Sequence, residues 1–359
     1  MSGLNAMPMF FMTAHRGEGT VSRFREVYSA EAGWRVYVLE GGHSMAKSLF
    51  LKRTAREISD AGSDVTLFPA LDDPKSLDGI AVEDKGVLLV NGEALGDTAR
   101  YPVVCETVLS FDACLDEAIL MPFKPKIVEE MQSARSMRRR ADKYFGAAAA
   151  LLRDNMETEL SCTDAAKAER YAGHLFARLL QAAPEADSAF GKTQQRFLSG
   201  VTPQGVVTYH STVQKLCQRV YSFSDACGAV SDRILQLLAK KAEEAGIPAV
   251  RCPCPLLSGK TEHLLLPGLG VGFVSANRFL GEMECSRTVH ARRFTDPQAM
   301  RAHRQRISFN RRAARELLDS GILLLSSAAA EVERVNGYYA AATDFDLVEE
   351  MRRDLLQKI

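Results

Sequence analysis

The sequence predicts an α/β protein made of two tandem copies of one layer, each followed by a helical hairpin. Three observations predict it. RVYVLEGGHSMAKSLFLKRTAREISDAGSDVTLFPA, from Arg35, aligns without a gap on RVYSFSDACGAVSDRILQLLAKKAEEAGIPAVRCPC, from Arg219, an offset of 184 residues. Each of these segments passes from a short β-like run to a run of helical period and back, the pattern of an α/β layer. SMRRRADKYF, from Ser136, aligns on SFNRRAAREL, from Ser308, at an offset of 172, within long helical stretches. Self-similarity at a nearly fixed spacing marks a duplicated structural unit. The copies are expected at 1–190 and 191–359, joined by the Pro184-Glu185-Ala186-Asp187-Ser188 stretch, with a shorter internal loop in the second copy.

The elements follow in the same order in both copies. A short hairpin comes first, turning near Gly17 and Gly19 in one copy and at Pro203-Gln204-Gly205 in the other. A strand is expected at 36–39 and at 220–223, then a glycine-bearing loop. The following helix, 47–60 or 231–245, stops at Gly62 or Gly246, which suit the left-handed residue after a helix. A second strand is expected at 65–68 and 249–252. The pairs within 79–90 and 263–274 read as hairpins turning at Gly86 and Gly270. Each copy closes on helices, 125–181 and 297–358, with apolar residues such as Tyr144, Phe145, Leu151 and Leu152 at helical spacing.

Composition narrows the class. The chain has 359 residues, 46% hydrophobic and 25% charged, enough for two ordinary domains with cores of their own. Lys+Arg and Asp+Glu are both 45, so no global basic field argues for nucleic acid. The opening MSGLNAMPMFFMTAHRGEG has no basic n-region, so a secretory leader is not expected. No apolar run has the length of a membrane span, and a cytoplasmic address is the expectation. The eight cysteines are then read as reduced. Cys252-Pro253-Cys254 is too closely spaced for ordinary zinc ligation, and Cys227, Cys252, Cys254 and His263 read first as scattered packing residues.

Gly41-Gly42-His43-Ser44-Met45-Ala46-Lys47-Ser48 meets the phosphate-cradling pattern G-x-x-x-x-G-K-[ST] except at Ala46, between a strand and a helix. With that loop, the segment Asp73-Pro74-Lys75-Ser76-Leu77-Asp78-Gly79, the strand 87–91 and the duplicated hairpins, the chain resembles an uncharacterised bacterial family of tandem P-loop NTPase-like proteins. In that family both halves usually carry an intact phosphate loop, and the segment after the second strand reads D-x-x-S-L-D, as Asp73, Ser76, Leu77 and Asp78 do here. The resemblance implies ATP or GTP binding, with Mg2+. The chain departs from it in three places. Ala46 replaces a glycine, Asn91 stands where a magnesium-holding aspartate is expected, and the second loop, 225–232, lacks the first glycine, the lysine and the final Ser/Thr.

The expected site is therefore asymmetric. Backbone amides of 41–48 and Lys47 would hold phosphates, His43 would touch one, Ser48 and Asn91 would serve magnesium, and Asp78 would orient metal or water. Asp225 and Asp232 would repel phosphate, leaving the second copy without a nucleotide. Its Glu262 stands where Asp78 stands in the first. Arg139 and Arg311, which coincide at the 172-residue offset, are candidates to reach the phosphates, with solvated helix faces or salt bridges as the plainer reading of both arginine clusters. Two functions follow: a slow NTPase or phosphotransferase using 41–48 alone, or a catalytically inactive pseudo-NTPase that acts as scaffold or sensor, meeting a protein partner through its hairpins.

Overall fold

A computed structural model describes residues 4–28, 33–96, 101–181, 193–276 and 284–359. The expected connection at 184–188 lies outside them. The elements in chain order are β1 (Thr13–Arg16), β2 (Gly19–Ser22), β3 (Arg35–Glu40), α1 (Ser44–Asp60), β4 (Val65–Pro69), β5 (Leu77–Val82), β6 (Val87–Asn91), α2 (Gly92–Leu95), β7 (Glu106–Ser110), α3 (Glu117–Leu120), α4 (Lys124–Ser161) and α5 (Ala165–Gln181). They continue with β8 (Gln194–Gln195), β9 (Ser199–Thr202), β10 (Gly205–Thr208), α6 (His210–Leu216), β11 (Arg219–Ser224), α7 (Ala229–Glu244), β12 (Val250–Pro253), β13 (Thr261–Leu266), β14 (Val271–Ala276), β15 (Arg287–His290), α8 (Pro297–Ala302), α9 (Arg304–Ala341) and α10 (Phe345–Leu356).

Two mixed sheets carry the same plan. The first runs β4-β5-β6-β3-β7, and the second β15-β11-β14-β13-β12-β8. In each, the strand before the glycine loop lies between two parallel neighbours, β6 and β7 around β3, β14 and β15 around β11. The β5–β6 and β13–β14 pairs are antiparallel, turning through Gly86 at φ 61° and Gly270 at φ 60°, the left-handed region that glycine enters at least cost.

Alternation along the strands sorts the side chains into layers. Val36, Val38, Leu88 and Val90 face one way and pack with Val220, Leu265, Cys252 and Val274, so the two sheets share a central core. Tyr37, Leu39, Val87 and Leu89 face the other way, onto Phe50, Leu51 and Ile58 of α1. In the second sheet Phe223, Leu264 and Phe273 likewise meet Ile234 and Leu238 of α7.

The hairpins cross over. Ala168, Ala172, Leu175 and Leu179 of α5 pack on α7 of the second layer, while Val348 and Leu355 of α10 pack on α1 of the first. The division of the sequence at 190 is thus not a division of the packing. The long helices α4 and α9 carry the crossing and lie antiparallel: Glu130 pairs with Arg334, Phe145 meets Gly321, and Asn155 donates to the Ile307 carbonyl. A Cβ on Gly321 would lie 2.4 Å from the Phe145 ring, so that position tolerates no side chain.

The helical repeat also has a different register. Lys124–Ser161 and Arg304–Ala341 correspond end to end at an offset of 180, as do the Asp116 and Asp296 caps and the Asp164 and Asp344 turns. The 172-residue alignment is off by eight positions. Eight residues is close to two helical turns, so the apolar stripe still matches in the wrong register. In the structural register Arg139 answers to Asp319, not to Arg311.

Candidate functional site

Loop 41–48 folds shorter than its pattern implies. Gly41 and Gly42 take φ 68° and 57°, and α1 begins at Ser44, three residues ahead of Lys47. Ser44, Met45 and Ala46 are therefore helical, and the Lys47 amide donates to the His43 carbonyl at 3.4 Å. Ala46 is buried within the helix, where alanine is the better residue, so the missing glycine carries no strain.

What remains of the cradle is partly filled by the protein. The Gly42 amide donates to Asp112 Oδ1 at 2.9 Å, and a Cβ on Gly41 would stand 2.3 Å from that same oxygen. A carboxylate thus sits against the two glycines where a phosphate is expected. Ser48 Oγ accepts the Leu77 amide at 3.0 Å, so it clamps α1 to β5 and does not fit the magnesium role. Lys47 is 2% exposed, with Nζ 3.7 Å from Glu93 Oε1. His43 is buried; its Nε2 lies 3.1 Å from Thr343 Oγ1 and its ring stacks near Tyr339. Burial, and then the Lys47 charge, lower its pKa to about 4, so it is neutral and gives phosphate no charge. Ser44 donates to Asn336, and Met45 is exposed. The start of α1 is thus fastened to the end of α9.

Asp78 and Asn91 do come together. Asn91 Nδ2 donates to Asp78 Oδ1 at 3.4 Å while Asn91 Oδ1 caps α2 through the Glu93 amide. Burial raises Asp78 to about 7 despite that hydrogen bond and the Lys47 charge. The pair is a hydrogen-bonded amide and acid, with Asn91 spent on both sides. Arg139 lies exposed on α4 with no ionic partner among the described residues.

The second loop is closed more completely. Asp225, buried, accepts from the amides of Cys227 at 3.2 Å, Gly228 at 2.8 Å and Ser231 at 2.7 Å. Glu159, arriving from α4, accepts the Ala229 amide at 3.0 Å. Beyond the repulsion expected of it, Asp225 is itself bonded to the amides of the loop. The lysine missing from the loop is replaced from elsewhere: Lys260 Nζ lies 2.6 Å from where a Gly228 Cβ would be, and 3.6 Å from Glu262 Oε1. Glu262, the counterpart of Asp78, also accepts from Ser199 Oγ at 2.6 Å. Asp232 accepts the Thr261 amide at 2.7 Å, the same helix-to-strand clamp that Ser48 makes with Leu77.

The thiols nearby are held in the neutral form by burial. Burial pushes Cys227 and Cys254 up to about 12 and Cys252 higher, and it lowers His263 to about 4. Among the described residues no group of three or more His, Cys, Asp or Glu is placed to hold a metal. No described helix is long and apolar enough to cross a membrane.

Arg311 is found elsewhere than at loop 41–48. It lines an open cavity of about 590 Å³ at the ends of β11 and β15, together with Arg292, Arg301 and Arg304. Sequence reasoning saw these arginines as a crowd and had no means of seeing that they converge. No protein-family model, curated protein or solved structure matches the chain.

Proposed function

We propose that this chain is a non-hydrolysing pseudo-NTPase, a P-loop-like double layer that serves as scaffold or sensor through its crossed hairpins. One observation carries the reading: the carboxylate of Asp225 accepts three backbone amides in the position of a bound phosphate. A phosphate entering there would have to displace hydrogen bonds to a charged acceptor, of about 1.5–3 kcal/mol each, and approach a buried like charge. Asp112 at Gly41 and Gly42, Ser48 on the Leu77 amide and Asn91 on Asp78 support the same reading in the first layer. The hairpins offer a surface for a protein partner: Phe309, 61% exposed, and Leu323, 69% exposed, lie nearly four turns apart along α9.

A second reading keeps nucleotide binding without turnover at the first layer. It is favoured by the start of α1, where His43 gives no side-chain cap to the first-turn amides and Lys47 follows one turn on. Turnover assays with MgATP and MgGTP test the main reading. No phosphate release above the buffer rate is expected; release that disappears in Lys47→Ala would overturn it.

A further inference from the structure

The cavity lined by Arg311 lies where open α/β sheets hold ligands. β11 is flanked by β14 on one side and β15 on the other, all parallel, and the cavity opens at the carboxyl ends of β11 and β15. Ser224 and His290, the last residues of β11 and β15 and register partners, both line it. Its volume of about 590 Å³ is within the usual range for small-molecule sites.

The charge in that crevice is unbalanced. Two other arginines of α9 are matched, Arg306 by Asp154 and Arg334 by Glu130 and Glu331. Arg292, Arg301, Arg304 and Arg311 have no ionic partner among the described residues, although they line one cavity. Four guanidinium groups facing one space repel one another unless an anion joins them. The one carboxylate in the lining, Glu159, does not serve as that anion. It is turned into α7 on the Ala229 amide, and burial together with the Asp225 charge holds its pKa well above the usual carboxylate range, so it is neutral. Guanidinium is the group that best matches phosphate oxygens in paired hydrogen bonds, and four of them suit two adjacent phosphates. Met300 and Ile307 add an apolar wall for a carbon skeleton.

We infer that this cavity binds a phosphate-bearing small molecule through a diphosphate group, held by Arg292, Arg301, Arg304 and Arg311. The inference does not depend on the pseudo-NTPase reading: Ala226 of the second glycine loop borders the cavity, but the proposed contacts come from Arg292 after β15, Arg301 of α8 and Arg304 and Arg311 of α9, not from the loop amides. Calorimetric titration with inorganic pyrophosphate, and separately with metal-free ADP, tests it on the full chain. One site per chain is expected for both ligands. The double variant Arg301→Gln/Arg304→Gln should weaken it by about tenfold or more, through loss of two charge-assisted contacts, whereas Arg312→Gln should leave it unchanged. Thermal unfolding of each variant verifies that it is folded; the side chains of Arg301, Arg304 and Arg312 are exposed. Absence of saturable heat with either ligand at millimolar concentration would overturn the proposal. So would equal weakening by Arg312→Gln, or a cavity that takes up single-stranded RNA in an arginine-dependent way and ignores pyrophosphate.

Discussion

The starts of α1 and α7 come from one plan and reach different ends. Both follow a central strand, both turn through left-handed glycine, and both are clamped to the next strand by a side-chain acceptor, Ser48 on Leu77 and Asp232 on Thr261. At α7 two buried acids satisfy the amides of Cys227, Gly228, Ala229 and Ser231, and Lys260 supplies the counter-charge. At α1 one exposed acid, Asp112, meets one amide. The difference teaches that the turn ahead of a helix can be closed by carboxylates in two ways. It can be filled from inside, where the filling becomes part of the core, or covered from outside, where the cover adds little to stability.

The largest expected effect follows from that contrast. Asp225→Ala removes the acceptor of three buried amides and one of the acids whose charge favours Lys260, and should cost about 4 kcal/mol in urea unfolding. Asp112→Ala should cost less than about 1 kcal/mol, because an exposed single cap is replaced by water. Equal costs would break the comparison.

The next effect concerns pH. His15, buried, lies 3.3 Å from Asp72 and 3.5 Å from Asp142. Burial opposes its protonation, but the hydrogen bonds and charges of the two acids outweigh it and raise it to about 9. A histidine raised above its unfolded value near 6.5 contributes fully below that pH and loses its contribution as pH rises through about 9. Asp78, raised to about 7, acts in the same direction, since its neutral form is the one the fold favours. The His15 share alone should lower the unfolding free energy by roughly 2–3 kcal/mol between pH 6.5 and 9.5, and the raised Glu159 adds to the fall. His15→Gln should remove the His15 share of that slope and leave the shares of Asp78 and Glu159. A slope that is unaltered in the variant would remove His15 from the account.

Ala46→Gly gives the smallest effect and sharpens the reading of α1. It restores the phosphate-loop pattern in sequence, yet Ala46 is helical and buried. The substitution should cost about 1 kcal/mol and bring no nucleotide binding. A gain in nucleotide affinity would mean that the loop, not the helix, is the relevant state of 44–46.

Much of this fold was legible in the sequence. Val36 and Val38 against Tyr37 and Leu39 give the two faces of β3, and Gly86 and Gly270 mark their turns. β7 and β15 were not, because ETVLS and RTVH are short, polar and largely exposed. The crossing of the hairpins was hidden for a different reason: α5 and α10 carry similar apolar stripes that suit either layer, and only the length of α4 and α9 decides where they land. The Gly41–Ser48 pattern located a real strand–loop–helix, but what occupies it was out of reach. Asp112 lies 70 residues from Gly42, and Glu159 lies 70 from Ala229. Nothing local in either loop announces a distant acid.

The central claim is that the protein's own carboxylates have taken over both cradles. Its most direct test is calorimetric titration with MgATP and MgGTP of a chain in which Arg292, Arg301, Arg304 and Arg311 are all replaced by Gln, which removes the guanidinium groups of the cavity and leaves the loops as the remaining nucleotide sites. The account predicts no saturable heat at millimolar nucleotide and none of the stabilisation, about 2.7 kcal/mol at a hundredfold excess over Kd, that a true site would give. One nucleotide per chain, lost in Lys47→Ala, would contradict it.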